Sequence, residues 1–227
     1  MKIFKHLTET MPELISLETE EIDGKRWYIT PTGIKVPSVT TVLGHAKKHL
    51  LENWKEKVGH DTAQKISTRA SIRGTKFHNM MERYLRNDSN LFEDVMPDMK
   101  QAFRDMQKVV DRIDNIHYIE GQLHSSQLGV AGRTDVIGEF DGKLSIIDFK
   151  TSTKLKRKEW IENYFEQGTA YALMYEELVG TPIDQIIILI SVDGETEPQV
   201  FIEEKVHHID GLMAKIQQYK KDHNNVR

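Results

Sequence analysis

Apolar residues change their spacing along the chain, and the change separates a helical first half from a strand-rich second half. Residues 50 to 58 and 62 to 86 are predicted to form helices. Segment 91 to 113 carries one apolar stripe at intervals of three and four, made by Phe92, Met96, Met99, Phe103, Met106, Val110 and Ile113. A Met-rich stripe also occurs on partner surfaces, but this spacing is more typical of core packing.

Strand patterns begin near residue 116. Strands are predicted over 116 to 124, 130 to 140, 143 to 150, 184 to 192 and 198 to 203. Helices are predicted over about 157 to 179 and around Ile209, Met213, Ile216 and Tyr219. The order β-β-β-α-β after a helical region predicts an α/β fold with a mixed sheet flanked by helices. We expect residues 1 to 113 to form a hairpin and helical region, and residues 114 to 227 the core, in one compact unit.

Local signals place several boundaries. The stretch "WYITPTGIKVP" (27 to 37) predicts a hairpin with Pro31 and Gly33 in its turn. Ser38 is well placed as the N-cap of a following helix, and Pro97 belongs in the first turn of the helix that carries the stripe. The helix that begins near residue 157 should end at Gly180.

The stretch "GRTDVIGEFDGKLSIIDFKTS" (132 to 152) contains two apolar runs joined by Asp141-Gly142, the dipeptide typical of a type I′ hairpin. With those two residues as the loop, Phe140 faces Lys143, and counting outward places Asp135 opposite Asp148. The same register places Arg133 opposite Lys150, which shares a face with Asp135 and Asp148.

Opposed carboxylates inside apolar strands repel each other, and unpaired buried charge is costly. A divalent cation bound between Asp135 and Asp148 removes that cost, and Mg²⁺ prefers hard oxygen ligands. The alternative is a solvated pair near the sheet edge, with Lys150 as its counter-ion. The flanking apolar runs favour the metal site.

Composition narrows the class of protein. With 38% hydrophobic and 29% charged residues in 227, the chain resembles a globular protein that has ample length for a core. The apolar run "IIILI" (186 to 190) is too short to span a membrane, and the charged N-terminus is unlike a signal peptide, so we expect a cytoplasmic protein. The absence of cysteine excludes disulfides, zinc–thiolate sites and iron–sulfur clusters. A net charge of −4 means that nucleic-acid binding would need a local basic patch.

Four motifs in order resemble the PD-(D/E)xK nuclease superfamily, in its RecB-like exonuclease branch. They are Asp135 followed by "DFKTS" (148 to 152), the Q-x-x-x-Y-like "QGTAYA" (167 to 172), the G-x-x-x-H-like "RGTKFHNMME" (73 to 82) and "PSVTTVL" (37 to 43). The last is similar to a segment of the mitochondrial genome maintenance exonuclease group and its phage relatives. Thr134 stands where the superfamily's name has proline, which is often missing in this branch. The resemblance covers roughly residues 27 to 220 and implies a restriction-endonuclease-like α-β-β-β-α-β core.

The resemblance implies that Asp135, Asp148 and Lys150 are catalytic and that Mg²⁺ or Mn²⁺ is the cofactor. Lys150 would position the attacking water or stabilise charge on the phosphate. The implied metal ligands are His78, Glu120, Asp135, Asp148 and the backbone carbonyl of Phe149. From the residues alone, His78 and Glu82 could equally be a surface hydrogen-bonded pair, and Glu120 an ordinary strand carboxylate.

DNA contacts are expected from the motifs and from a basic run just past the catalytic strand. That run consists of Lys150, Lys154, Lys156, Arg157 and Lys158, and a solvated surface is the alternative interpretation. The predicted DNA-binding residues are Ser38, Arg73, Lys76, Thr151, Ser152, Lys154, Gln167 and Tyr171. Gln167 and Tyr171 could instead belong to the core or support Lys150.

The sequence therefore predicts a monomeric, metal-dependent deoxyribonuclease, an exonuclease preferring single-stranded DNA in a channel walled by residues 38 to 113. An endonuclease of the same fold and a catalytically idle DNA-binding module are the alternatives. Retention of Asp135, Asp148 and Lys150 argues against the idle module, because a binding protein does not need opposed carboxylates.

Overall fold

The computed structural model describes residues 1–224, and its elements follow the predicted order. The helices are α1 (Val39–Ala46), α2 (Lys48–Val58), α3 (His60–Leu85), α4 (Pro97–Val110), α5 (Glu162–Val179) and α6 (Ile209–Asn224). The strands are β1 (Glu18–Ile22), β2 (Lys25–Ile29), β3 (Lys35–Pro37), β4 (Ile113–Ser125), β5 (Val130–Phe140), β6 (Lys143–Ser152), β7 (Gln185–Val192) and β8 (Gln199–Glu204). Among the helices of this part of the chain, none is both long and apolar enough to cross a bilayer.

A five-stranded sheet in the order β4-β5-β6-β7-β8 forms the centre of the molecule. Its neighbouring strands are antiparallel except β6 and β7, which run parallel and are connected through α5. A parallel pair requires such a crossover, because a tight turn cannot return the chain to the same end of the sheet. The predicted α/β fold with a mixed sheet is confirmed.

Helices cover both faces of this sheet, and alternate residues of its strands point to different cores. Ile146 belongs to the cluster that contains Phe165 of α5, whereas the next residue, Ile147, belongs to the cluster that contains Phe77 of α3 and Phe103 of α4. The predicted stripe supplies Met99, Phe103, Met106 and Val110, all buried in the second cluster. Its interpretation as core packing is therefore confirmed.

The hairpin of β5 and β6 has the predicted loop and register. Asp141 and Gly142 both have positive φ, 52° and 77°, as a type I′ turn requires. Phe140 pairs with Lys143, and the pairing continues to Val136 and Ile147. There the paired residues end, one step short of Asp135 and Asp148.

The predicted pairing of Arg133 with Lys150 is wrong. The β5–β6 pairs end at Val136, so Arg133 is paired only with Gln122 of β4 among the described residues, and its guanidinium binds Glu120. The reason is that β5 and β6 separate where polar side chains replace apolar ones, so the hairpin register cannot be extended past Val136.

The helix that carries the stripe is shorter than its apolar pattern. It begins at Pro97 because Met96, with ψ of 150°, is held in the extended conformation that precedes a proline. Met96 is consequently exposed, and Ile113 already belongs to β4. Phe92, Met96 and Ile113 of the stripe therefore lie outside the helix, whereas Pro97 occupies the first turn as predicted.

A strand absent from the prediction, β1, turns the N-terminal hairpin into a three-stranded sheet. Every residue of β1 is exposed, so its sequence "ETEEI" lacks the alternation on which strand prediction depends. The connection to β2 is Asp23-Gly24, with positive φ at both residues. The same dipeptide signal that located the second hairpin was therefore also present here.

The caps agree with the sequence prediction. Ser38 Oγ accepts a hydrogen bond from the Thr41 backbone N–H (3.0 Å) at the start of α1, and Gly180 ends α5 in the left-handed conformation. Ser38 also forms a bridge with Ala131 of β5, which brings the N-terminal sheet against the central one. The helix predicted from residue 157 begins instead with a short 3₁₀ turn, Lys158–Trp160, before α5.

Candidate active site

A cavity of about 410 Å³ lies where β5 and β6 separate, between the N-terminal sheet, α3 and α5. It gathers residues that are far apart in the sequence, from Arg26 to Tyr171. The predicted site residues that line it are Ser38, His78, Glu120, Asp135, Asp148, Lys150, Gln167 and Tyr171.

Asp135 occupies the centre of the polar group. One carboxylate oxygen lies 3.2 Å from His78 Nδ1, and the other accepts the Phe149 backbone N–H at 2.7 Å. The Ile119–Val136 and Gly121–Thr134 pairs flank it, so Asp135 stands across from Glu120 on β4. The nearby His78 cation and the Phe149 N–H hold the pKa of Asp135 below its usual value, against the opposing effect of burial.

His78, Glu120 and Asp135 form a candidate metal site. One ligand atom from each of these residues lies within 4.8 Å of those of the other two. Burial and the charge of Asp135 raise the pKa of Glu120, and the charge of Asp135 raises the pKa of His78 despite its burial. The donors are two carboxylates and an imidazole, which suits a divalent cation.

The backbone at Glu120 is unusual for a strand. Its φ is +55°, in the left-handed region that residues with a β-carbon seldom adopt. This conformation interrupts the pairing of β4 with β5 next to Asp135. Such an outlier persists only where the surroundings impose it, and here it coincides with the candidate metal site.

Asp148 and Lys150 form a buried ion pair on the floor of the cavity. Asp148 is 2% exposed, and its Oδ2 lies 2.5 Å from Lys150 Nζ. Burial raises the pKa of Asp148 to about 6, although the Lys150 ammonium lowers it. The two aspartates Asp148 and Asp135 overcome the effect of burial and raise the pKa of Lys150, so the side chain is an ammonium at neutral pH.

Gln167 and Tyr171 on α5 support the ion pair from one side. Lys150 Nζ reaches Gln167 Oε1 at 3.5 Å, and Gln167 Nε2 donates to the Tyr171 hydroxyl at 3.0 Å. The Tyr171 ring is 2% exposed and lies against the backbone of Gly132 on β5. Gln167 is therefore oriented by Tyr171, and the absence of a side chain at position 132 leaves room for that ring.

Replacing Gly132 by alanine should reduce the free energy of unfolding by about 1–3 kcal/mol, the usual cost of overpacking. The new β-carbon would lie 2.6 Å from Tyr171 Cε1, closer than such atoms can approach, so the buried ring would have to shift away from its hydrogen bond with Gln167. Chemical denaturation measures the change. Gly44→Ala is the matched control, since nothing lies within 4 Å of its added carbon and alanine favours a helix. Equal stability of Gly132→Ala and the wild-type protein would contradict this packing.

Other predicted residues lie outside the cavity. Arg73 binds Asp193 at 2.5 Å and the Ser152 carbonyl at 3.3 Å. Lys76 and Lys154 are exposed, Thr151 is half-buried, and the hydroxyl of the buried Ser152 donates to the Lys154 carbonyl at 2.6 Å. The Phe149 ring packs in the core beneath α3 and against the edge of the His78 ring, and the Phe149 backbone N–H donates to Asp135.

Several lining residues are absent from the sequence-based prediction. They are Arg26, Tyr28, Thr40, Gly74, Thr75, Asn79, Glu82, Gly132 and Arg133. Thr75, Asn79 and Glu82 share a face of α3 with His78, so helical spacing could have identified them. Arg26 and Tyr28 lie on β2, and no local pattern indicates that this strand reaches the cavity.

Comparison with known proteins gives the family. The sequence model of the PD-(D/E)XK nuclease superfamily matches residues 48–225 of this chain. Mitochondrial genome maintenance exonuclease 1 of Homo sapiens is 28% identical over 140 residues, which are 58% of this chain and 40% of that protein. The Xenopus tropicalis protein of the same name is 24% identical over 202 residues, 82% of this chain and 58% of the relative. The chain thus spans about half the length of these relatives.

A solved structure of a candidate exonuclease from Eubacterium rectale is also similar, with a TM-score of 0.43 and 14% identity. The alignment covers 67% of this chain and 68% of that one. The family match extends over most of the sequence and includes α3, β4, β5, β6 and α5, the elements that carry His78, Glu120, Asp135, Asp148, Lys150, Gln167 and Tyr171. This chain is a member of the PD-(D/E)XK nuclease superfamily.

Proposed function

We propose that this nuclease is a Mg²⁺- or Mn²⁺-dependent deoxyribonuclease that degrades single-stranded DNA from an end. The observation that carries the proposal is the meeting of two groups in one cavity. One is the candidate metal site of His78, Glu120 and Asp135, and the other is the buried pair of Asp148 and Lys150.

The donor set fits a divalent cation. His78, Glu120 and Asp135 would hold it, with Asp148 lining the same cavity. When bound, such a cation supplies Lewis-acid stabilisation of the phosphate and lowers the pKa of a coordinated water. The imidazole of His78 makes the set more suitable for Mn²⁺ than an all-oxygen site would be.

Lys150 would stabilise the charge that develops on the scissile phosphate. Its raised pKa keeps the side chain protonated, so it donates hydrogen bonds and does not act as a base. Gln167 and Asp148 hold the ammonium from two directions, at 3.5 Å and 2.5 Å. A preorganised positive group in a buried site stabilises a transition state more strongly than the same group in water.

The depth of the site supports a preference for single strands. Asp148 lies on the cavity floor at 2% exposure, so the scissile phosphate must enter the cavity to approach it. A flexible single strand can insert its backbone into a cleft, whereas a paired duplex is stiff over the same length. The curated relatives are named as exonucleases, which supports degradation from an end.

The proposal is tested with end-labelled linear and circular single-stranded DNA, each incubated with Mg²⁺, Mn²⁺ or a chelator. We expect metal-dependent loss of the linear strand, slower loss of linear duplex, and an intact circle. Cleavage of the circle at the rate of the linear strand would identify an endonuclease instead. Binding of DNA without hydrolysis in either metal would identify an idle binding module and reject the enzyme.

A further inference from the structure

Residues 154–160, which connect β6 to α5, form a basic and aromatic surface next to the catalytic strand. Trp160 is 59% exposed, an unusual position for the largest apolar side chain. The Arg157 guanidinium carbon lies 5.3 Å from the centroid of its ring. Lys154 is exposed, and Glu159 is the acidic residue of the segment.

This segment is held in place by hydrogen bonds on both sides. Gln199 of β8 bonds the Lys156 backbone twice, accepting its N–H at 2.7 Å and donating to its carbonyl at 2.9 Å. Lys158 binds Glu203 of β8 at 2.5 Å, and Ser152 Oγ accepts the Lys154 N–H at 3.2 Å. The anchors use Lys156 and Lys158 and leave Lys154, Arg157 and Trp160 directed to solvent.

The surface adjoins the active site through the start of α5. Trp160 ends the 3₁₀ turn before that helix, Tyr164 lies in the first turn of the helix, and Lys150 Nζ lies 5.1 Å from the centroid of the Tyr164 ring. Gln167, three residues further along α5, accepts a hydrogen bond from the same ammonium. A strand whose phosphate reaches Lys150 would therefore have a neighbouring nucleotide near Trp160.

We propose that Trp160 and Arg157 bind an unpaired nucleobase of the substrate strand, while Lys154 contacts an adjacent phosphate. This inference rests on the proposed function and specifies where the strand runs outside the cavity. The indole and guanidinium planes both stack on nucleobases. Within the described residues, no carboxylate lies within 4 Å of the charged groups of Lys154 or Arg157, so Lys154 is available to a phosphate and the Arg157 guanidinium to a base.

The occupant should be single-stranded, because a base in a duplex already has both faces stacked and can offer one only at an end. An acidic peptide would satisfy Lys154 and Arg157 but would leave the exposed Trp160 ring without a stacking partner. The combination of exposed aromatic ring, planar cation and lysine is typical of proteins that bind unpaired strands.

The test uses Trp160→Leu, which keeps apolar bulk, and Trp160→Phe, which keeps a flat aromatic ring. Binding is measured by fluorescence anisotropy, in a chelator that prevents hydrolysis, to a thymidine oligonucleotide and to an abasic strand of equal length. Trp160→Leu should weaken binding of the thymidine strand about 5- to 150-fold, the range for one stacked base, and leave the abasic strand unchanged. Trp160→Phe should stay within roughly threefold of the wild-type protein.

Steady-state hydrolysis of the thymidine strand with Mg²⁺ distinguishes an error in this inference from an error in the proposed function. The inference expects a raised KM for Trp160→Leu with kcat nearly unchanged. If Trp160→Leu degrades the strand and its affinity and KM equal those of the wild-type protein, the inference is wrong but the proposed function is unaffected. An equal loss of affinity for the thymidine and abasic strands would also overturn the inference, since the effect of Trp160→Leu would then not depend on a base. A wild-type protein that neither binds nor degrades either strand would reject the proposed function together with the inference.

Discussion

Replacing Asp135 by asparagine is expected to reduce DNA hydrolysis by roughly a thousandfold or more and to abolish stabilisation of the protein by Mn²⁺. Asp135 is the central member of the candidate metal site: His78 Nδ1 lies 3.2 Å from its carboxylate, and Glu120 stands across from it on β4. Asparagine keeps the shape and can still accept the Phe149 N–H. It lacks the negative charge on which the metal site depends.

Two measurements distinguish the loss of the metal from the loss of the fold. The melting temperature of the wild-type protein should rise with Mn²⁺ concentration, because a ligand present at a hundred times its dissociation constant adds about 2.7 kcal/mol. Asp135→Asn should melt at a temperature that Mn²⁺ does not change. Without metal it should be less stable than the wild-type protein, because interactions with His78 and the Phe149 N–H favour the charged carboxylate of Asp135 in the folded state.

Asp222→Asn is the matched control for this substitution. Asp222 on α6 also binds a histidine, with its Oδ2 2.7 Å from His45 Nε2, but neither residue lines the cavity. We expect its hydrolysis rate and its response to Mn²⁺ to match the wild-type protein. If Asp135→Asn retained the wild-type response to Mn²⁺, the candidate site of His78, Glu120 and Asp135 would not be where the metal binds.

Local patterns predicted most of the secondary structure, because each signal acts within a few residues. Asp141-Gly142 located the turn and register of the catalytic hairpin, and Ser38 located the first turn of α1. Extrapolation of that register beyond Val136 was wrong for Arg133, since pairing ends where buried polar groups require room. The spacing of apolar residues and the strand propensities of the residue types do not indicate where two paired strands separate.

The catalytic and metal-binding residues of the site were predictable because their motifs lie in a few stretches, but the cavity walls that come from other strands were not. Glu120 lies across from Asp135 only because β4 pairs with β5, and its positive φ has no signature in the sequence. Arg26 and Thr40 reach the cavity through the contact of the N-terminal sheet with β5. Such contacts depend on tertiary packing, which a single sequence does not reveal.

Asp148→Asn and Lys150→Met are each expected to lower kcat by about a hundred- to a thousandfold, and the double variant should be little worse than either. The two side chains form one unit, with Asp148 Oδ2 2.5 Å from Lys150 Nζ on the floor of the cavity. Removing either partner disturbs the position and charge of the other. Single-turnover hydrolysis of end-labelled strands measures the three rates without interference from product release.

The same unit makes the stability of Lys150→Met depend on pH. Removing the ammonium takes away the group that lowers the pKa of Asp148, which burial already raises from 3.8 to about 6. A carboxyl whose pKa is higher in the folded than in the unfolded protein destabilises the fold as pH rises above the unfolded value. Lys150→Met should therefore be closest to wild-type stability below about pH 4, and lose stability progressively until the pH exceeds the raised pKa of Asp148.

Glu166→Gln separates these effects from the general cost of breaking a buried ion pair. Glu166 of α5 is 1% exposed and binds Lys215 of α6, so its replacement leaves a lysine without its partner, as Asp148→Asn does. Breaking such a pair costs about 3–5 kcal/mol, yet kcat of the folded Glu166→Gln protein should stay within roughly threefold of wild type. If Asp148→Asn lowers kcat no more than Glu166→Gln does, the Asp148–Lys150 pair stabilises the fold without taking part in hydrolysis. A large loss in Asp148→Asn, Lys150→Met and their double variant, but not in Glu166→Gln, would identify the pair as catalytic, because Glu166→Gln leaves the charges that face the scissile phosphate unchanged.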